Sequence, residues 1–348
     1  MKFTSTNKKI LFSFVICFLI VGMMMYQYFQ KQSISLSSKT IKEIGLTAEN
    51  FPIIDGATST QPIRSLIACV AFDGDCRNWY ETASREMFIR VVLSDTTLTS
   101  AEREKILTKI GTNSKTHEAY LKLIKGDIDI ILVSTKPSED EVAEAKKAGV
   151  SFDLVPIGLD GFIFLVNEKN TISNLNTSDI IDIYTGKVEN WKQFTGIDSP
   201  ITAYTRQQNS GSQELMNTLV MKDIPIKSSL KQERAIMAMD MLITGVEQDV
   251  NSIGYSLYYY KNNMIDKREQ RPNVKLLSVD SIEPNPVNIA SKTYPYTFNI
   301  YAVTRSDEPQ NSPASKIKAW LTTEEGQAVI AQAGYVRLGS IDSSVRDN

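Results

Sequence analysis

Apolar positions change their period along the chain, and each change marks an expected element. An almost unbroken apolar run from Ile10 to about Phe29 supplies about the 20 residues that a helix needs to cross a bilayer. Lys2, Lys8 and Lys9 precede it, which by the positive-inside rule keeps the N-terminus cytoplasmic and exports everything after Lys31. No small-residue cleavage site follows the run, so residues 1–31 read as a retained signal-anchor helix. Cys17 lies inside the run behind Ile16, a poor position for lipidation. Residues 32–50 are rich in Ser, Lys and Thr without periodicity and read as a tether.

From Phe51 onward, short β-rich runs alternate with amphipathic helical patterns, the signature of an α/β domain with a largely parallel sheet. "PIID" reads as a first strand, and Ile63, Leu66, Ile67 and Val70 stand at i, i+3, i+4, i+7 on a helix face. "FIRVVLS" and "DIDIILVS" are strands separated by the helix "THEAYLKLIKG". In "PSEDEVAEAKKAG", Ser138 and Glu141 form a capping box and Gly149 is the stop. A second series runs through "FDLVPIG", "GFIFLVN", the helix "NTSDIIDIYTG" with Asn176 as its cap, and the strand "ITAYT". Tyr255, Tyr258, Tyr259 and Tyr260 read as core packing around a strand and its turn. The chain closes with "TFNIYAVT", the single helix "SPASKIKAWLTTEEGQAVIAQAG" and a loose polar tail from residue 339 to 348.

Composition narrows the chemistry. The whole chain has 38 basic and 40 acidic residues; taking away the three lysines of residues 1–30 leaves 35 against 40, a net of −5 for the exported part. An acidic exported domain is a poor nucleic-acid binder. His117 is the only histidine, which excludes histidine-rich zinc sites, and no Cys-x-x-Cys spacing replaces them; neither a metal nor a cofactor is expected. Cys69 and Cys76 would be permitted one bridge outside the cell. The apolar helical setting of Cys69 favours a buried free thiol instead.

Several helix entrances gather hydroxyls and small residues: "GATSTQPI", "SKTHEAY" and "RQQNSGSQE". A helix start offers unpaired N–H groups and the positive end of the macrodipole, which suit an oxyanion, although Ser and Thr are also the ordinary N-caps. "RQQNSGSQE" says more: Ser210 and Gln213 fit a capping box, Gly211 admits close backbone approach, and Arg206 adds a two-pronged charged donor. A serine hydrolase using Ser210 or Ser212 with His117 as base is the competing class. It lacks the Gly-x-Ser-x-Gly elbow, and "SSLK" at Ser228–Lys231 lacks its partner motifs.

The order of motifs resembles the phosphate-binding, PstS-type substrate-binding proteins of ABC transporters from about Pro52 to Leu338. Its carriers are "DGATSTQPI", "THEAYLKLIKGDIDIILVSTKPSEDE", "VPIGLDGFIFLVN", "DIYTGKVENWKQF", "TRQQNSGSQELM", "NSIGYSLYYY", "YPYTFNIYAV" and "WLTTEEGQAVIAQAGYVRL". The resemblance implies a two-domain, periplasmic-binding-protein-like (type II) α/β fold with two crossover strands, "VPIG" and "YPYTFNI". Residues 51–156 with 294–338 would form one domain and residues 157–293 the other, closing on an anion by a hinge motion.

By motif position the resemblance puts Thr60 and Gln61 at a first anion-binding entrance and Ser114 and Thr116 at a second. It aligns Arg206, Ser210, Gly211 and Ser212 with the family's Arg-x-x-x-Ser-Gly-Thr element. After the strand, where many relatives read Ser-Asp or Ser-Arg, this chain reads Ser134-Thr135-Lys136, and Gln208 replaces an acid that often braces the arginine. Ser134 and Thr135 complete the expected ligand set, and Lys136 either adds charge or points to solvent. The implied job is capture of an oxyanion, inorganic phosphate first, by an extracytoplasmic, membrane-anchored monomer that hands it to ABC permease subunits without catalysis. A tethered ligand sensor on the same fold is the alternative.

Overall fold

The computed structural model describes residues 39–81, 86–93, 96–222, 224–265 and 273–339. The expected membrane helix and most of the polar tail lie outside them. Among the described residues no helix is long and apolar enough to cross a membrane.

Packed chain begins ahead of Phe51. Helix α1 (Lys39–Glu43) buries Ile41 completely against the helices at 61–71 and 313–320, so part of the segment expected as tether belongs to the folded body.

Strand β1 (Ile54–Gly56) leads through a one-turn 3-10 helix (Thr58–Thr60) into α2 (Gln61–Ala71). Pro62 sits at the start of α2, where its missing N–H costs nothing; Ile63, Leu66 and Ile67 are buried as the period requires. Strands β2 (Gly74–Glu81) and β3 (Glu86–Leu93) pair with each other as an antiparallel ribbon. "FIRVVLS" therefore joins no central sheet. Cys69 and Cys76 are joined by a disulfide, correcting the expectation of a free thiol: the ribbon turns straight back along α2 and brings the two residues within 6.1 Å between α-carbons, inside bridging range.

Helix α3 (Ser100–Gly111), closed by a capping box of Thr99 and Glu102, was not foreseen. Next come α4 (Lys115–Lys125), β4 (Ile130–Val133) and α5 (Glu139–Lys147), the last with the expected Ser138–Glu141 capping box. The long strand β5 (Phe152–Asn167) is followed by β6 (Asn174–Leu175), α6 (Thr177–Thr185), α7 (Lys192–Thr195), β7 (Thr202–Ala203) and β8 (Thr205–Arg206). Helix α8 (Gly211–Leu215) continues as a π-helical turn to Met221. After it come α9 (Ser228–Glu233), β9 (Ala235–Ile236), α10 (Met239–Gln248) and β10 (Ser252–Leu257). The remaining elements are a π-helical turn (Tyr260–Ile265), β11 (Val274–Leu276), β12 (Ser278–Val279), α11 (Pro286–Ala290), β13 (Thr297–Arg305), and α12 (Pro313–Trp320) and α13 (Glu324–Ala333), two helices where the sequence suggested one, because Thr323 starts a new cap after Trp320.

The main sheet runs β1-β4-β13-β5-β10-β7, with β11 also on β5. It is mixed, not largely parallel: β1–β4 and β10–β7 are parallel, whereas β13 and β10 both run antiparallel to β5. Strand β5 is long enough to serve both halves. Phe152 to Gly161 pair with β13, and Phe162 to Val166 pair with β10. One apolar cluster gathers Tyr120, Leu123, Ile131, Val133 and Val303. Farther along β5, Phe162, Phe164, Tyr184 and Tyr255 pack ring to ring and Tyr259 stacks on Tyr335, as expected of core tyrosines, whereas Tyr258 is half-buried and Tyr260 lines a cavity.

Candidate binding site

Strand ends and helix starts from opposite ends of the sequence meet around a cavity of about 560 Å³. Its walls include Thr58 and Ser59 of the 3-10 turn, Ser114, Thr116 and His117 at the start of α4, and Ser134 after β4. Arg206 and the Ser210-Gly211-Ser212 entrance of α8 face them.

Arg206 is 8% exposed. Its backbone N–H donates to Gln213 Oε1 (3.0 Å) and to Tyr255 Oη (2.8 Å), and Tyr255 in turn donates to Gln213 Oε1 at 2.6 Å. These two side chains fix the β8 end from below. Nη2 donates to the Met237 carbonyl at 3.1 Å, while Nε and Nη1 are buried without a partner. Burial pulls the guanidinium below its ordinary pKa, partly offset by Tyr255, Tyr260 and Asp240. A buried cation with two idle donors is costly unless an acceptor arrives. Ser212 Oγ is likewise buried and unpaired. Ser210 caps α8 by accepting from the Gln213 N–H. The expected reciprocal box is absent, because the Gln213 side chain is spent on Arg206, Tyr255 and Asn217.

Facing them, Ser114 is set from behind. Asp55 accepts from its N–H (3.1 Å) and its hydroxyl (2.5 Å), and Asp55 is itself paired with Arg64 at 3.0 Å, both side chains fully buried. Burial lowers Arg64 to about 10 against the raising pull of Asp55. Ser114 is right-handed and Lys115 left-handed (φ 64°); successive residues of this kind form a concavity of N–H groups that suits anions, and here the Ser114 N–H is taken by the Asp55 carboxylate. Asn209, just before the α8 cap, is left-handed too (φ 63°), and its Nδ2 donates to Asp140 Oδ2 at 2.8 Å across the cavity mouth.

Seven of the ten expected residues line the cavity: Ser114, Thr116, Ser134, Arg206, Ser210, Gly211 and Ser212. Thr60, Gln61 and Thr135 do not. Thr60 Oγ1 donates to the carbonyls of Ala57 and Leu132, its N–H is bonded to Ala57, and the Gln61 amide is turned to Ser65 Oγ at 2.8 Å. The 3-10 turn ahead of α2 moves the open helix start two residues back, to Thr58 and Ser59. Thr135 is buried off the cavity, and its carbonyl accepts from Tyr120 Oη. Lys136 is exposed; Gln208, also exposed, is on the cavity rim.

Asp55, Gln213 and Tyr255 were missed as supporting residues. Asp55 and Tyr255 carry no local signal, since each reaches its partner across more than 40 residues of chain. His117, the last residue of the stretch expected at the second entrance and also weighed as a base, lines the cavity with Nδ1 2.9 Å from Glu141 Oε1. No hydrogen bond joins His117 to Ser210 or Ser212 among the described residues.

A family model described as the PBP superfamily domain matches residues 88–323, more than half of the chain. The chain belongs to the PBP superfamily. Among its relatives is the phosphate-binding protein PstS of Borreliella burgdorferi, 25% identical over 211 residues that cover 60% of this chain and 71% of that one. The phosphate-binding protein PstS of Staphylococcus epidermidis is 26% identical over 227 residues, 64% of this chain and 67% of that one. A Clostridium perfringens protein solved with bound phosphate, and assigned as a phosphate ABC transporter substrate-binding protein, is similar in fold. It aligns with a TM-score of 0.55 and 22% identity over 82% of this chain and 98% of its own.

Proposed function

We propose that this protein is an oxyanion receptor, with inorganic phosphate as its ligand, that feeds an ABC transporter. The observation that carries the reading is the unmet demand in one cavity: Arg206 Nε and Nη1 and Ser212 Oγ are buried without acceptors, beside the starts of α4 and α8. A tetrahedral oxyanion supplies several acceptors at once and neutralises the guanidinium. The PstS relatives favour phosphate over other oxyanions. In this reading Ser59, Thr116 and Ser134 donate from one side, where Asp55 holds Ser114 in place, and Arg206, Ser210, Gly211 and Ser212 donate from the other.

The motion and the setting belong to the same proposal. Residues 51–156 with 294–338 form one lobe and residues 157–293 the second, with β5 and β13 as the hinge that closes them and excludes water. Residues 1–31 anchor a monomer to the membrane, with the receptor on the extracytoplasmic side. No bond is made or broken.

Calorimetric titration of the purified chain with phosphate, sulfate and molybdate tests this. Micromolar or tighter binding of phosphate, in preference to the other two, is expected. If none of the three binds better than millimolar, the reading fails.

A further inference from the structure

The cavity holds a group that the capture of an anion by fixed donors does not require. His117 lies in the first turn of α4 with Nδ1 2.9 Å from Glu141 Oε1. Glu141 is 1% exposed, and its Oε2 accepts from the Ser138 N–H at 2.8 Å, so the carboxylate is fixed at both oxygens. An imidazole held in this way carries a proton on Nδ1 and has its ring plane set. Nε2 makes no hydrogen bond to a described residue. The side chain is 37% exposed and lines the same cavity as the idle donors of Arg206 and Ser212.

We propose that His117 is a protonatable contact to the captured anion: when charged, its Nε2 donates to an oxyanion oxygen, while Glu141 orients the ring and stabilises its cationic form. The proposal rests on the reading of this cavity as an oxyanion site. It adds a contact that depends on pH to the buried cation Arg206.

Charged groups of both signs surround the ring. On α4 itself Lys115 opposes it and Glu118 supports it, both at the cavity. From α5 come Glu139, Asp140 and Glu141, and from α8 comes Glu214. Burial holds Glu214 above the usual carboxylate range, reinforced by Glu141, Asp140 and Glu139, so these acids share one field at the mouth. Arg206 on β8 opposes imidazolium, and Asp240 on α10 lies on the same wall. Lys122, also on α4, donates to Ser114 Oγ at 2.8 Å and adds a further cation on this helix.

Histidine changes charge between about pH 5 and 8, so the extra attraction is present at low pH and is lost as pH rises. Phosphate titrates in the same range, but its own ionisation cancels when a variant is compared with wild type at one pH. Phosphate affinity is therefore measured by calorimetry for wild type, His117→Gln and His117→Lys. His117→Gln is expected to bind about tenfold more weakly than wild type at low pH, the scale of one charge-assisted bond, and equally at high pH. His117→Lys keeps its charge throughout and is expected to surpass wild type at high pH. Glu141→Gln is expected to move the loss of wild-type affinity to lower pH; an unmoved midpoint removes Glu141 from the proposal. A His117→Gln ratio that is the same at both ends of the pH range overturns the His117 contact. Failure of wild type to bind phosphate at any pH overturns the oxyanion reading instead.

Discussion

A β-carbon added to Gly211 would stand 2.7 Å from Thr116 Oγ1. The starts of α8 and α4 thus meet in the cavity with no room for a methyl group between them, and that close approach brings donors from both helices to one small volume. Gly211→Ala should force Thr116 and the α8 entrance apart. Gly211 is the first residue of α8, where the helix-interior preference for alanine does not apply, and forcing an atom into filled space costs about 1–3 kcal/mol, so the melting temperature of the ligand-free protein should fall modestly. Phosphate affinity measured on the same preparation should fall by about tenfold, the equivalent of one displaced hydrogen bond. Unchanged affinity would mean that Thr116 turns aside at no cost to the site.

The α8 wall was legible because Arg206, Ser210, Gly211 and Ser212 lie within one strand-to-helix turn, where spacing alone dictates proximity. The first entrance was misplaced by two residues, at Thr60 and Gln61, because nothing in "GATSTQP" announces that a 3-10 turn precedes α2 and consumes those N–H groups. Thr135, one residue beyond Ser134, is buried off the cavity wall with its Oγ1 unpaired. Asp55 behind Ser114 and Tyr255 beneath Arg206 act over long sequence separations, which periodicity does not encode. The direction of the sheet was misread because alternation of strands and helices is silent about β13, which enters antiparallel from the far end of the chain.

The Cys69–Cys76 bridge closes a loop of sequence separation 7 between α2 and β2. Loops of that size restrict the unfolded chain by about 2 kcal/mol. Replacing both cysteines with serine should lower stability in denaturant unfolding by about that amount. The bridge is remote from the cavity walls, so phosphate affinity should be unchanged. A loss of affinity would show that the β2–β3 ribbon steadies the site.

Asp160 lies on β5 opposite Phe298 of β13. Its Oδ1 accepts from the N–H groups of Gly161 (2.8 Å) and Tyr259 (3.0 Å), and Oδ2 is buried without a partner. Burial pushes the carboxyl from its ordinary 3.8 up to about 7, against the lowering effect of those two N–H donors. The folded state therefore holds this proton more tightly than the unfolded state. That contribution to stability is fully present below the unfolded value and is lost as pH rises through about 7. Asp160→Asn keeps the acceptor and removes the titration. Melting curves from acid to neutral pH should show wild type losing stability relative to Asp160→Asn, with the difference levelling off above neutrality. Parallel pH profiles would mean that Asp160 reaches water in the folded protein.

Arg206 is buried, and its charge is met by one carbonyl, that of Met237, with no carboxylate in an ion pair among the described residues. The ligand-free protein bears the desolvation of this cation, which phosphate would relieve. Arg206→Ala should therefore leave the melting temperature of the ligand-free protein unchanged or higher, while weakening phosphate binding by about 2 kcal/mol or more, roughly thirtyfold. At one phosphate concentration the rise in melting temperature should be smaller for Arg206→Ala than for wild type, because ligand stabilisation grows as the logarithm of ligand concentration over Kd. Equal phosphate affinity in wild type and Arg206→Ala would make the guanidinium a structural residue and move the anion elsewhere.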